Sequence, residues 1–267
     1  MRIEQGYVSP ALSHLEDEFL ERWNLKKYNN DNEPSVFFGL YCDWDEELKY
    51  SKNISRDVDV YNNHDGFKVL LCGGVEWKQN IFSMIDTKNI NLVAVDEIEI
   101  GINKKYNLPH KYLKIPYFDF NEYPTTKLGD KIYSHIPFRE MGGEWGKKFE
   151  EMFHYERLMN LFGEDRFCFP KEWVTPQECI KYFNQSFVNL KPHLIRGFNT
   201  SWKLGSMGRN TITTNITSAP NYLHYDSDDE LKRLVEEESK KIGTIQENKL
   251  WDYFHQSDDW LYEGYWK

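Results

Sequence analysis

Short apolar runs alternate with longer amphipathic stretches along most of this chain, and that alternation narrows the possible folds sharply. VFFGLY (36–41), KVLLCG (68–73), NLVAVDE (91–97) and KYLKIPY (111–117) are rich in β-branched and aromatic residues. They are too short for helices, so each is predicted to be a buried strand. Between them WKQNIFSMI (77–85) has helical spacing, as does 98–106 more weakly. Strands apolar on both sides and separated by helices pair in parallel, with helices covering both faces of the sheet.

A second series follows the turn-forming segment NEYPTTKLGD (121–130). KIYSHIPF (131–138) is predicted as a strand or connector. EWGKKFEEMFHYERLMNLFG (144–163) is predicted as a helix, with Phe149, Met152, Phe153, Leu158 and Leu161 as its apolar stripe and Gly163 as its stop. RFCFP (166–170) is a short strand. Thr175, Pro176 and Glu178 then form a helix-start signature. SFVNLKPHLI (186–195), NTITTN (210–215) and YLHY (222–225) follow as strands. Ser227 with Glu230 opens a last long helix, and Gly243 closes it. The expected fold class is α/β, two Rossmann-like domains over 1–128 and 129–267, with a C-terminal helix in the aromatic-rich tail WDYFHQSDDWLYEGYWK (251–267).

The chain has 267 residues and a formal net charge of −10. An acidic balance argues against a general nucleic-acid coat protein. Cys42, Cys72, Cys168 and Cys179 are widely spaced and form no CxxC or Cys/His cluster, so neither structural zinc nor a disulfide framework is indicated. No apolar run approaches the roughly 18 residues of a membrane span, and the N-terminus lacks the pattern of a signal peptide. A cytoplasmic location is expected, the host cytoplasm if the protein is viral.

Against that acidic background, no Asp or Glu occurs from Cys179 to Tyr225, while Lys181, Lys191, Arg196, Lys203 and Arg209 all fall inside. A local field of this kind suits an anion. Within the window lies RGFNTSWKLGSMGRNTITTN (196–215), a strand exit, a helix start and a β-branched run. A helix N-terminus presents unpaired N–H groups and about half a positive charge. Asn199, Thr200 and Ser201 add polar side chains there, and Arg196 or Lys203 full charges. Gly205 and Gly208 allow close packing. The stretch contains neither GxxxxGK[ST] nor GxGxxG.

KLGSMGRNTITTN followed by YLHYDSDDELKRLVEEESKKIG resembles the C-terminal half of GT-B-type, nucleotide-sugar-dependent glycosyltransferases, among them small microbial and viral members. GDKIYSHIPF resembles their interdomain segment, and VFFGLYCDWDEEL…HDGFKVLLCGG a compact acceptor domain. The resemblance implies a metal-independent transfer from a nucleoside-diphosphate sugar, a UDP-sugar favoured, with no obligatory cofactor. It places Arg196, Thr200 and Ser201 at positions that contact the donor diphosphate, with Asn199 and Arg209 in the same donor-binding stretch. Lys203 stands where many members carry a glutamate that binds the donor ribose; a lysine adds charge toward phosphate instead.

Sugar transfer also needs a base for the acceptor hydroxyl. Asp43 and Glu76 each follow a predicted strand, and His64 lies in the loop NNHDG. Gly73 and Gly74 would let an acceptor approach the backbone. Asp43 with Asp45 also matches the DxD by which another transferase fold holds a divalent metal, although the strand before it looks like the first of its domain. The acceptor stays open between a glycan and a hydroxymethylated cytosine in DNA, as in base-glycosylating enzymes of tailed bacteriophages. A DNA acceptor would need a basic track, for which Lys104, Lys105, His110, Lys111 and Lys114 are candidates. The rival from another class is a non-catalytic nucleotide- or sugar-binding module.

Overall fold

The computed structural model describes residues 1–40, 56–72, 81–87, 90–93, 113–134, 154–170, 174–192, 198–215 and 218–267. The chain divides into two compact units, Met1–Asp119 with Phe254–Lys267, and Phe120–Tyr253.

The first unit carries strands β1 (Gln5–Val8), β2 (Lys26–Lys27), β3 (Ser35–Phe38), β4 (Lys68–Leu71) and β5 (Asn91–Val93). They pair in parallel in the order β2-β1-β3-β4-β5. Every side chain of β3 is fully buried, as are Val69, Leu70 and Leu71 of β4, which is why these runs read as continuous apolar stretches rather than alternating ones. Helices α1 (Glu16–Trp23) and α2 (Arg56–Asn62) belong to this unit. β1 is central yet had no strand signal, because QGYV holds Gln and Gly. Gly6 lies against α1: a Cβ would stand 2.8 Å from the end of the Leu20 side chain, which would have to shift. Buried Gln5 is satisfied by Asp31 and Ser35.

Two expectations in this half change. Residues 113–118 form no strand. Ile115, Tyr117 and Phe118 are buried, but Pro116 has no N–H to give a ladder. Their polar groups are met by irregular partners instead: the Trp23 indole donates to the Pro116 carbonyl at 3.2 Å, and the Tyr117 hydroxyl to that of Cys72 at 2.9 Å. Of the predicted 77–85 helix, the described part is one short 3-10 turn, Ile81–Ser83; the predicted 98–106 helix lies outside the described residues.

The second unit holds β6 (Lys131–Tyr133), β7 (Phe167–Cys168), β8 (Ser186–Leu190), β9 (Asn210–Thr213) and β10 (Tyr222–His224). All are parallel, in the order β10-β9-β8-β6-β7. Counted from each unit's own first strand, both sheets have the order 2-1-3-4-5. Two Rossmann-like α/β units are therefore present, in agreement with the sequence. Helices α3 (Tyr155–Phe162), α4 (Pro176–Gln185), α5 (Phe198–Ser206) and α6 (Asp228–Ser239) cover the second sheet. α4 opens with the predicted capping box: the Thr175 hydroxyl accepts from the Glu178 N–H, and the Glu178 carboxylate from the Thr175 N–H. At α6, Ser227 caps the Glu230 N–H, while the Glu230 carboxylate reaches one residue further back, to Asp226. The start of the predicted 144–163 helix, with Phe149, Met152 and Phe153, lies outside the described residues; Leu158 and the partly buried Leu161 pack in the core as expected.

The unit boundary falls between Asp119 and Phe120 rather than at 128/129, and the C-terminal tail from Phe254 onward belongs to the first unit, not the second. Backbone pairing explains this: the Ile3 N–H donates to the Leu261 carbonyl and the Glu263 N–H to that of Met1. Trp260 packs edge-on to Trp23. The expected C-terminal aromatic helix is α7 (Glu263–Trp266).

Candidate functional site

In open parallel sheets of this order, ligands seat outside the carboxyl ends of the strands, where the chain leaves one central strand for each side of the sheet. In the second unit that point lies between β6 and β8, whose exits are Ser134 and Lys191. The Ser134 hydroxyl donates to the Leu190 carbonyl at 3.0 Å. The Lys191 N–H donates to the Ile212 carbonyl at 3.0 Å, so the ladder continues to Lys191 itself. Beyond it the Pro192 carbonyl accepts from the hydroxyls of Thr213 and Thr214.

The two faces of this sheet differ. Val188 and Leu190 of β8 and Ile212 of β9 join the apolar core with α3 and α6. On the other face Asn189 and Thr211, in register, meet α5: the buried Asn189 amide donates to the Ser201 hydroxyl at 3.1 Å and to that of Thr211 at 3.0 Å. Lys191 has the parity of Asn189 and lies two residues nearer the carboxyl edge, toward the first turn of α5. It is 6% exposed, and burial pushes its ammonium down to about 7. A buried polar stripe thus climbs this face and ends in a lysine. The alternation Val-Asn-Leu-Lys against Thr-Ile-Thr carries that signal in the sequence.

α5 has Asn199 and Thr200 in its first turn, both partly buried, and Ser201 fully buried. The Asn199 side-chain oxygen is buried with no hydrogen-bond partner. Ser201 is tied into the fold by Asn189 and, through its carbonyl, by the Asn221 amide at 3.1 Å; it aims the helix rather than standing at its tip. Lys203 is buried further along α5, its ammonium 4.7 Å from the centre of the Tyr123 ring. Gly205 and Gly208 face protein: a Cβ at Gly205 would stand 2.5 Å from the Asn221 amide. Gly208, at φ +89°, would meet the Gln246 carbonyl at 2.7 Å.

Arg209 corrects one expectation. It precedes β9, at the amino edge of the sheet, about a helix length (~13 Å for nine residues) from the first turn of α5. It is fully buried. Its guanidinium donates to the carbonyls of Ser186, Thr126, Met207 and Lys127, and burial lowers its pKa to about 10. It clamps the strand entrances and does not face the carboxyl edge.

His64 is a second correction. It lies before β4, at the amino edge of the first sheet, 2% exposed and packed edge-on to Phe37 and Tyr28. Burial, then the nearby Lys68 charge, lower its pKa. It is a core imidazole, not a base at a strand exit. Asp43, Asp45, Glu76, Gly73, Gly74 and Arg196, like Lys104, Lys105, His110 and Lys111, lie outside the described residues.

The first unit's carboxyl edge offers a group that the sequence did not flag. Asp57, in the first turn of α2 and 4% exposed, accepts from the Ser9 hydroxyl at 2.5 Å and the Tyr7 hydroxyl at 2.6 Å. Ser9 leaves β1, one side of that sheet's own switch point.

No protein-family model matches this chain, and no curated protein matches it. Among solved structures it is similar to a provisionally assigned UDP-N-acetylglucosamine 2-epimerase from Listeria monocytogenes. That match has 10% sequence identity, covers 97% of this chain and 85% of the other, and has a TM-score of 0.45. Among the described residues no helix is long and apolar enough to cross a membrane.

Proposed function

We propose that this protein is a nucleotide-sugar glycosyltransferase whose second unit holds the diphosphate of the donor. One observation carries this reading: the buried polar stripe of Asn189, Thr211 and Ser201 leads to Lys191 and the first turn of α5 at the switch point, within a stretch, 179–225, that holds no Asp or Glu. Fixed N–H dipoles and a cation aimed at one place stabilise the charge that develops on a departing diphosphate. The α5 N–H groups, Thr200 and Arg196 act on that charge, and the Asn199 oxygen accepts from a sugar or ribose hydroxyl. Asp43 or Glu76 takes the acceptor proton as the acceptor oxygen bonds to the anomeric carbon and the bond to the diphosphate breaks. The acceptor is a glycan or a hydroxymethylated base in DNA, and the second is distinguished by salt-sensitive DNA retention.

A metal-dependent variant keeps a place for one reason: the strand before Asp43 is β3, the third of its sheet and not the first, so the positional objection to Asp43-x-Asp45 is gone. The test is a thermal-melt panel of UDP, GDP, CDP, ADP and TDP, each with and without EDTA, on wild type and Arg196→Ala. A ligand at ~100 times its dissociation constant adds about 2.7 kcal/mol of stability. The expected result is a shift with one nucleotide, insensitive to EDTA and reduced in Arg196→Ala. A shift abolished by EDTA selects the Asp43/Asp45 reading, and no shift with any nucleotide overturns the transferase.

A further inference from the structure

Two asparagines from different parts of the second sheet grip α5 at the same residue. From β8, the Asn189 amide donates to the Ser201 hydroxyl at 3.1 Å and to the Thr211 hydroxyl at 3.0 Å. From the entry of β10, the Asn221 amide donates to the Ser201 carbonyl at 3.1 Å. Both asparagines are 1% exposed, and Ser201 and Thr211 are fully buried. Gly205, one turn further along α5, leaves the room that Asn221 fills: a Cβ there would stand 2.5 Å from the Asn221 amide nitrogen and 2.6 Å from the end of Leu250. Burying amides costs more than burying aliphatic groups, and a glycine inside a helix weakens it. On the other face of the same strands Leu190 and Ile212 pack without polar atoms. Apolar contacts are non-directional and leave a helix some freedom to slide and turn. Hydrogen bonds that reach one residue from two sides remove that freedom.

We propose that Asn189 and Asn221 are positioning residues for the donor, holding the first turn of α5 at the height where its N–H groups and Thr200 meet the diphosphate, and that Ser201 is their handle and not a contact of the ligand. The inference rests on the donor-site reading and adds a division within it: Thr200 and Ser201, adjacent in sequence, do different work. Freed of the clamp, α5 stays packed through Trp202 and Leu204, both buried, but its first turn takes several heights. Only molecules with the right one bind, and the apparent affinity falls by their fraction.

The test is isothermal titration calorimetry of the full chain with UDP, GDP, CDP, ADP, TDP and inorganic pyrophosphate, together with melting temperatures. Asn189→Leu and Ser201→Ala should each weaken nucleotide and pyrophosphate binding about tenfold, and the two together no more than either alone, because they break one and the same bond. Asn189→Leu/Ser201→Ala/Thr211→Val makes the contact apolar throughout. It should regain the melting temperature lost in Asn189→Leu, since no polar partner is left behind, while affinity stays low. Gly205→Ala displaces Asn221 without touching the β8 bonds and should also weaken binding. Affinity that returns with stability in the triple variant shows a merely structural contact and overturns the positioning role. A Ser201→Ala loss that adds to that of Asn189→Leu makes Ser201 a ligand contact and overturns it as well, whatever the melting temperatures. Wild-type affinity in Gly205→Ala overturns the part of Asn221. Each of these leaves the donor site standing, whereas no binding of any probe to wild type overturns both.

Discussion

The two sheets share one strand order, but among the described residues one strand exit of each carries a buried side chain of opposite sign. In the first unit the exit of β1 is tied to a buried carboxylate, Asp57, held by the hydroxyls of Tyr7 and Ser9. In the second the exit of β8 is a buried amine, Lys191, beside threonines and an acid-free helix start. Topology decides where a site can be; the few residues at the strand exits decide what it can hold. A carboxylate at one switch point and an amine at the other give the two strand exits different chemistry.

The comparison breaks most visibly if a cation of the acid-free window is removed from the wrong edge. Arg209→Met strands backbone carbonyls of Ser186, Thr126 and Lys127 and should cost about 3 kcal/mol in urea unfolding. Nucleotide affinity should stay as in wild type. A selective loss of nucleotide binding at unchanged stability would return Arg209 to the site.

Asp57→Asn is the matching change on the first edge. The amide keeps one acceptor but opposes one hydroxyl with a donor, for a loss of about 2 kcal/mol. Nucleotide binding should not change, while turnover of any acceptor should fall. Equal nucleotide and acceptor effects would mean that the two edges do not divide the work.

The smallest effect is a pair of pH limbs. The folded pKa of His64 is lowered, so below the unfolded value of about 6.5 the unfolded chain binds more protons, and stability falls with acid. Lys191 is lowered to about 7; between there and its unfolded value of about 10.4 the unfolded chain again binds more protons, and stability rises with pH. His64→Phe should flatten only the acid limb and Lys191→Met only the alkaline one, both read from denaturant midpoints across pH.

Several elements were legible because their signals are local. The α4 capping box, the apolar runs of β3 and β4, and the β8–α5–β9 succession each lie within a few consecutive residues. β1 and β2 were not legible: Gln-Gly-Tyr-Val is a short run in which only Tyr and Val favour a strand, and β1 is held by β2 and β3 on either side and by α1 against Gly6. KYLKIPY failed for the opposite reason, since apolarity predicts burial but Pro116 forbids the ladder.

The site divided in the same way. A count of charges was enough to find the acid-free window and to single out the start of α5. It could not tell which cations face the carboxyl edge, because position along the chain does not say which end of a parallel strand a residue occupies in space. Arg209 and Lys191 lie in the same window, yet one enters a strand and the other leaves one. Sequence by itself determined the class of fold and the sign of the charge, since periodicity and composition are local sums. Tertiary structure alone decided that the C-terminal tail rejoins the first unit, that His64 is core, and that Asp57 and Lys191 mark the two edges. Those facts depend on backbone hydrogen bonds and burial between residues far apart in the chain.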